Sequence, residues 1–121
     1  MKLYILLLIL LFFTACSKLG SDFEITNKRL TSIDSVVLSN GFNNTVIYNL
    51  KPNENYKAFL DFEKEKDTVI SDGSYSIQVY QNKDKEQILN FGYYSNGSPS
   101  SSLRFKLVIE NDTISVNESW D

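Results

Sequence analysis

Residues 72–94 decide the fold of this chain, and they read DGSYSIQVYQNKDKEQILNFGYY. Two apolar stretches within them alternate with polar residues at every second position, which is the period of a β-strand. The polar segment between them, residues 81–87, is expected to close a symmetric hairpin. Apolar residues then meet only apolar residues, as a strand with one buried face requires. The predicted pairs are Val79 with Leu89, Ile77 with Phe91, and Tyr75 with Tyr93.

A third strand is expected to extend this hairpin through the serine-rich loop that follows it. Residues 103–110 alternate in the same way, so their apolar side chains can continue the same buried face. The sequence therefore predicts a three-stranded meander. Its additional pairs are Phe105 with Tyr93, Leu107 with Phe91, and Ile109 with Leu89.

Short alternating runs also occupy the chain on either side of the hairpin. Turn dipeptides that tolerate a positive φ separate them, namely Asn40-Gly41, Asp72-Gly73 and Asn96-Gly97. Seven or eight such strands without a sustained helical period predict a single, antiparallel β-sandwich over residues 24–121. The predicted strands are residues 33–38, 45–50, 56–62, 74–80, 88–94, 103–110 and 113–117.

The segment Leu50-Lys51-Pro52-Asn53-Glu54-Asn55-Tyr56 has Leu, Pro and Tyr at a spacing that resembles the tyrosine corner of fibronectin type III and other Ig-like domains. The resemblance implies that the Tyr56 hydroxyl bonds back to nearby backbone. Two strands follow the corner in that family, whereas about half of the chain follows Tyr56 here. The segment therefore supports a sandwich and not that family. An ordinary Pro-Asn turn that enters a strand explains it equally well.

The N-terminal residues have the pattern of a secretory signal. Met1-Lys2 provides a positive start, and residues 3–13 form an uncharged apolar run. That run is far shorter than the roughly 20 residues of a membrane-spanning helix. Residues 1–15 are thus expected to form a signal helix that is removed. The last residue of the run and the three that follow it, Phe13-Thr14-Ala15-Cys16, resemble the lipobox of bacterial lipoproteins.

This resemblance implies a lipid anchor on Cys16, with residues 16–23 as a lipidated cysteine and polar tether. Ser17 stands where an Asp would retain such proteins in the inner membrane, so the outer membrane is expected. Residues 21–23 are similar to the acidic export motif of small Bacteroidetes-type envelope lipoproteins, and either a periplasmic or a surface location stays open. The alternative is a buried structural thiol at Cys16.

Composition narrows the possible chemistry. The chain has no histidine and one cysteine, which removes the usual nucleophile–base pairs, an internal disulfide and a multi-thiolate zinc site. We therefore expect no enzyme, no cofactor and no metal. With 12 basic and 15 acidic residues and no basic stripe, the chain is also not expected to bind nucleic acid.

A binding face is the leading functional prediction. In the predicted meander Tyr80 and Tyr94 point outward and Arg104 lies beside Tyr94. Exposed tyrosines can stack on sugar rings or on the side chains of a partner. The expected function is thus a lipid-anchored binding or accessory module for a glycan or an envelope protein. The alternative is an inhibitor or immunity-type lipoprotein that blocks a toxin or hydrolase through residues 95–102, with a small hydrolase as a third reading.

Three sites fit a modification pattern. Asp34-Ser35-Val36, Asp67-Thr68-Val69 and Asp112-Thr113-Ile114 each resemble the Asp-(Ser/Thr)-aliphatic O-glycosylation motif of Bacteroidetes envelope proteins. Asp before a β-branched strand start is also common turn chemistry. The candidate modified residues are Ser35, Thr68 and Thr113.

Overall fold

The computed structural model describes Tyr4 and residues 20–62, 72–95, 98–99 and 104–119. From Gly20 onward, these residues form strands joined by turns, and none of them belongs to a helix long and apolar enough to cross a membrane. The predicted signal helix and Cys16 lie outside the described residues, Tyr4 excepted. The strands are β1 (Gly20–Asn27), β2 (Ile33–Ser39), β3 (Asn44–Leu50), β4 (Asn55–Asp61), β5 (Gly73–Gln81), β6 (Asp84–Ser95), β7 (Ser98–Pro99), β8 (Arg104–Ile109) and β9 (Ile114–Ser119).

The strands form two sheets that pack face to face, so the predicted all-β sandwich is confirmed. Sheet A has the order β4-β1-β8-β9, and sheet B has the order β3-β2-β5-β6-β7. The prediction of a purely antiparallel arrangement is wrong at one place. Strands β1 and β8 run parallel at the centre of sheet A, and the other neighbouring strands are antiparallel. Parallel neighbours need a long connection, and here nearly the whole described domain lies between them.

Aromatic rings fill the space between the sheets. The Phe23 ring on β1 lies 5.4 Å from the rings of both Tyr75 and Phe105, measured between centroids, and 6.2 Å from that of Phe91. Phe23, Tyr75 and Phe105 are each 1% exposed. A hydrogen bond of 2.8 Å joins the Tyr75 hydroxyl to Ser21 Oγ, so the polar atom of this core tyrosine is satisfied. Edge-to-face and stacked rings thus join the two sheets in this part of the core, and buried Ile, Leu and Val side chains complete it.

The β5–β6 hairpin exists, but its predicted register is wrong. Tyr75 pairs with Phe91, and Ile77 pairs with Leu89, a shift of two residues. The cause is a shorter turn combined with a bulge. Asn82 and Lys83 both have a positive φ and form a two-residue connection, and Glu86 is an extra residue on β6 between the pairs Tyr80–Lys85 and Val79–Gln87. Residues 84–87, which the sequence placed in the loop, belong to β6 instead. The shift keeps every apolar residue on its face, which is why alternation alone could not exclude it.

The predicted meander is also wrong. Strand β8 pairs with β1 and β9 in sheet A, whereas β6 belongs to sheet B. Phe105 lies beside Phe23 on β1. The prediction failed because residues 20–23 were assigned to the tether. They form the first half of β1, with Ser21 and Phe23 buried, so β1 begins at Gly20, within the stretch assigned to the tether.

The segment from Leu50 to Tyr56 crosses from sheet B to sheet A. Tyr56 is 39% exposed, and the crossing is fixed instead by Asn27, which is fully buried. The side-chain Nδ2 of Asn27 donates hydrogen bonds to the carbonyls of Thr31 (2.9 Å) and Leu50 (2.8 Å), and its Oδ1 accepts one from the backbone N–H of Arg29. The crossing supports a sandwich, as the sequence indicated. It is stabilised by a buried asparagine that satisfies otherwise unpaired backbone groups.

Candidate functional site

Tyr94 is a core residue and does not belong to an exposed platform. It is 4% exposed, and its ring centroid lies 5.0 Å from that of Phe62. Its hydroxyl donates a 2.6 Å hydrogen bond to the carbonyl of Asn40, and burial raises the pKa of this hydroxyl. The outward orientation predicted for Tyr94 is therefore wrong, and Tyr93 takes the exposed position instead.

A β-bulge explains the exchange of these two tyrosines. Between the pairs Tyr75–Phe91 and Gly73–Tyr94, Gly92 and Tyr93 on β6 stand opposite Ser74 alone on β5. Gly92 has a φ of 65°, as the first residue of a glycine-type bulge requires. One extra residue reverses the inward and outward order of everything after it. A simple alternation therefore assigns Tyr93 and Tyr94 to the wrong faces.

Arg104 lies on the other side of the sandwich from Tyr80. It is exposed on the outer face of sheet A, opposite Asp22 of β1 and Ser119 of β9. Tyr94 pairs with Gly73, seven residues from Tyr80 along β5, which is roughly 23 Å at the rise of a strand. The structure therefore does not bring the predicted trio together. Of its three members, Tyr80 alone remains on an outer face of sheet B.

The partners of Tyr80 on that face are residues that the sequence analysis had not selected for binding. Ser35 on β2 pairs with Tyr80 on one side and with Tyr48 of β3 on the other. Tyr48 is 74% exposed, and the half-buried Tyr80 donates a 2.7 Å hydrogen bond to Oε1 of Gln78. The two tyrosine backbones are two strand spacings apart, about 9–10 Å. We call Tyr48, Ser35 and Tyr80 the tyrosine strip.

The two rows on one side of the tyrosine strip carry no charge, whereas the strip row itself continues to Lys85 of β6, which pairs with Tyr80. Strand pairing places two further rows of outward residues across β3, β2, β5 and β6. Among the described residues of these two rows, each side chain is apolar, an amide or a hydroxyl. They are Val46, Val37, Gln78 and Ile88 in the first row, and Asn44, Ser39, Ser76 and Asn90 in the second.

The outer face of sheet A has the opposite character. Its central row is Lys57, Glu24 and Lys106, with Nζ–O distances of 4.0 and 3.8 Å from the two lysines to Glu24. The row beside it contains Asp22 and Arg104. Alternating charges of this kind are typical of a solvated surface. The contrast makes the outer face of sheet B the better candidate for binding.

The most buried charge in the described ranges serves the fold. The Arg29 side chain is 7% exposed and lies 2.7 Å from Glu86 Oε2, measured from Nη1. Its other nitrogens donate to Gln87 Oε1 and to the carbonyl of Glu110. Arg29 thus ties the start of β6 to the β8–β9 turn, and its charge is already paired.

The candidate modification sites differ in accessibility. Thr113 is exposed in the β8–β9 turn, where its hydroxyl donates a 3.2 Å hydrogen bond to Glu110 Oε2. Ser35 is half-buried in a strand with neighbours on both sides. Thr68 lies outside the described residues. O-glycosylation stays a prediction, and Thr113 is the more accessible of the two described sites.

The segment predicted for an inhibitor loop, residues 95–102, is described only at residues 95, 98 and 99. Within the described ranges, no three Asp, Glu, Cys or His residues are grouped so that they could hold a metal ion. No protein-family model matches the chain, and no curated protein matches it.

Proposed function

We propose that this chain is a lipid-anchored, non-enzymatic binding module of the bacterial cell envelope, and that the outer face of sheet B binds a glycan. The tyrosine strip supports this proposal. Two tyrosines separated by one serine lie in a row across the sheet, with amide, hydroxyl and apolar groups in the two rows on one side of them. Aromatic rings contact the apolar face of a sugar ring, and amides and hydroxyls exchange hydrogen bonds with its hydroxyl groups.

The charge pattern also favours a glycan over a charged partner. Lys85 of β6 borders the strip beside Tyr80, but a partner with many carboxylates or cations would lose hydration against the two uncharged rows without gaining an ion pair there. A sugar chain has neutral hydroxyl groups and needs no such compensation. Tyr48 is 74% exposed, which gives a sugar chain access to the tyrosine strip.

Replacing Tyr80 by alanine is expected to weaken glycan binding about 5–30-fold, the effect of losing one or two kcal/mol of contact energy. The measurement is isothermal titration of the full chain, in detergent micelles, with a panel of soluble oligosaccharides. Tyr56 is the matched control, because it is a partly exposed tyrosine on sheet A. Equal losses for Tyr80→Ala and Tyr56→Ala would contradict the assignment of the face. Absence of sugar binding with co-purification of one protein would favour the inhibitor alternative.

The proposed anchor is a lipid on Cys16. Three residues separate Cys16 from β1, and they span at most about 10–11 Å when extended. A lipidated domain would therefore lie close to the bilayer, with the Gly20 end of the sandwich nearest to it. The outer membrane is the proposed location.

Replacing Cys16 by serine is expected to abolish lipidation and cleavage after Ala15, because the acceptor sulfur is lost. Radiolabelled palmitate and intact mass measure the two effects in cells. Ser17→Ala is the control, since it changes the neighbouring residue and leaves the sulfur in place. Normal processing of the Cys16→Ser chain would show that the cysteine is not the anchor.

A further inference from the structure

Each sheet of the sandwich ends in two edge strands. Sheet A ends in β4 and β9, and sheet B ends in β3 and β7. An edge strand has backbone N–H and C=O groups without a strand partner, and these pair readily with another extended chain. Proteins that remain monomeric commonly protect such edges with charges, proline or a very short strand.

Three of the four edges in the described part of the chain carry such a feature. Strand β4 contains Lys57 and Asp61, and β9 contains Glu118. Strand β7 has two residues, the second of which is Pro99, and it pairs only with Tyr94 and Ser95. The remaining length of that edge is β6, which carries Asp84, Lys85 and Glu86 and is interrupted by the bulge at Gly92. These edges therefore discourage pairing with another strand.

Strand β3 has none of these protecting features. It has seven residues, Asn44–Leu50, with the sequence NTVIYNL, which includes neither charge nor proline. On its outer face Val46 is 37% exposed and Tyr48 is 74% exposed. Asn49, with a φ of 52°, departs from extended geometry only near the end of the strand. Among the described residues, β3 is thus an uncharged edge of sheet B with exposed apolar side chains and no strand partner on its outer side.

We infer that two copies of this chain associate through antiparallel pairing of their β3 strands. A two-fold axis at Ile47 would place Val46 of each copy opposite Tyr48 of the other. This register keeps inward residues with inward residues, as antiparallel pairing requires. An aromatic residue opposite a β-branched residue is a favourable cross-strand pair, and the symmetry forms it twice. An axis at Val46 would instead leave Tyr48 opposite Asn44.

Strand β4 enlarges the surface that the second copy would cover. Four residues connect β3 to β4, so the two edges lie on the same side of the sandwich. Phe59 is 43% exposed and Tyr56 is 39% exposed on β4. A single strand pair covers less than the roughly 1,200 Å² of a stable interface. The Tyr56 ring adds to it, because Tyr56 pairs with the inward residue Ile25 and so lies on the face of β4 that is turned towards sheet B, whereas Phe59 lies on the outer face opposite Asp22. With a net charge of −3 per chain, repulsion between copies is small.

A second copy fits this edge better than a charged peptide does. Since β3 has no charge, it cannot form ion pairs with an acidic or basic strand, and its exposed apolar groups match those of its own copy. The association would join both B sheets into one continuous sheet. Tyr48 belongs both to this edge and to the tyrosine strip, so association would bring the two strips next to each other, whereas Tyr80 lies two strands away from the edge and tests glycan binding separately.

Sedimentation velocity of the full chain, with detergent micelles in excess, tests the association. The mass is expected to rise from one chain to two as the concentration increases. Tyr48→Lys should weaken association about tenfold or more, because it removes both symmetric pairs and adds two like charges. Tyr93→Lys is the matched control, since Tyr93 is an exposed tyrosine of sheet B away from the β3 edge. A single-chain mass at all concentrations would refute the inference.

Hydrogen exchange of the wild-type chain locates the interface without any substitution. At high concentration, amides of residues 44–50 are expected to exchange more slowly than at low concentration. Slowing that is confined to β9 or to β5 and β6 would place the interface elsewhere and overturn the assignment to β3. Tyr80→Ala is expected to leave association unchanged, which separates this inference from the glycan proposal.

Discussion

Replacing Phe23 by alanine is expected to lower the free energy of unfolding by about 3–5 kcal/mol. The side chain is 1% exposed and contacts three other rings, so its loss leaves a cavity that the two sheets cannot close by small movements. Domains of this size are stable by about 5–15 kcal/mol in total. Urea denaturation of the full chain, followed by circular dichroism, measures the change.

Phe59 provides the matched comparison. It lies on β4 of the same sheet and is 43% exposed, so Phe59→Ala should cost about 1 kcal/mol or less. The pair also decides where the domain begins. If residues 20–23 were a tether, Phe23→Ala would be as mild as Phe59→Ala. Similar midpoints for the two variants would therefore contradict both the core position of Phe23 and the start of β1 at Gly20.

The alternation of apolar and polar residues was sufficient to predict the strands, but it was not sufficient to predict how the strands pair. Alternation in β5 identifies Tyr75, Ile77 and Val79 as buried, and all three are 1% exposed or less. The same alternation permits several registers, because a shift of two residues preserves the faces. The observed register results from the positive φ of Asn82 and Lys83 together with the extra residue at Glu86 on β6. Asn-Lys is not a strong turn dipeptide, so the sequence offered a weak signal for it.

Pairing between distant strands left no local signal. The neighbour of β8 is β1, nearly 80 residues earlier, and nothing within either strand specifies the other. The tyrosine strip depends on such pairing too. Alternation in β3 shows that Val46 and Tyr48 share a face, but only the order β3-β2-β5 places Tyr48 near Tyr80. The sequence could thus supply one residue of the strip and could not supply its neighbours.

The faces of Tyr93 and Tyr94 were misassigned because of a single glycine, and this glycine gives the second large effect. Replacing Gly92 by alanine is expected to cost about 2–5 kcal/mol of unfolding free energy. A φ of 65° costs a residue with a Cβ about 1–2 kcal/mol. The added Cβ would also lie 2.9 Å from a ring carbon of Tyr75 and 3.0 Å from one of Phe105. Forcing a methyl group into a packed core costs a further 1–3 kcal/mol or so.

Gly41 separates these two contributions. It also has a positive φ, 91°, but an added Cβ there would meet only the Tyr94 hydroxyl, at 3.3 Å. Gly41→Ala should therefore cost about 1–2 kcal/mol, the conformational part alone. Replacing Gly by Ala also makes the unfolded chain less flexible, which stabilises both variants by the same amount. This contribution therefore cancels when their free energies of unfolding are compared. If urea midpoints show that Gly92→Ala costs no more than Gly41→Ala, the bulge does not press β6 against the aromatic core. The inward position of Tyr94 would then depend on its own hydrogen bond to the carbonyl of Asn40 and its contact with Phe62, and not on close packing of Gly92 against Tyr75 and Phe105.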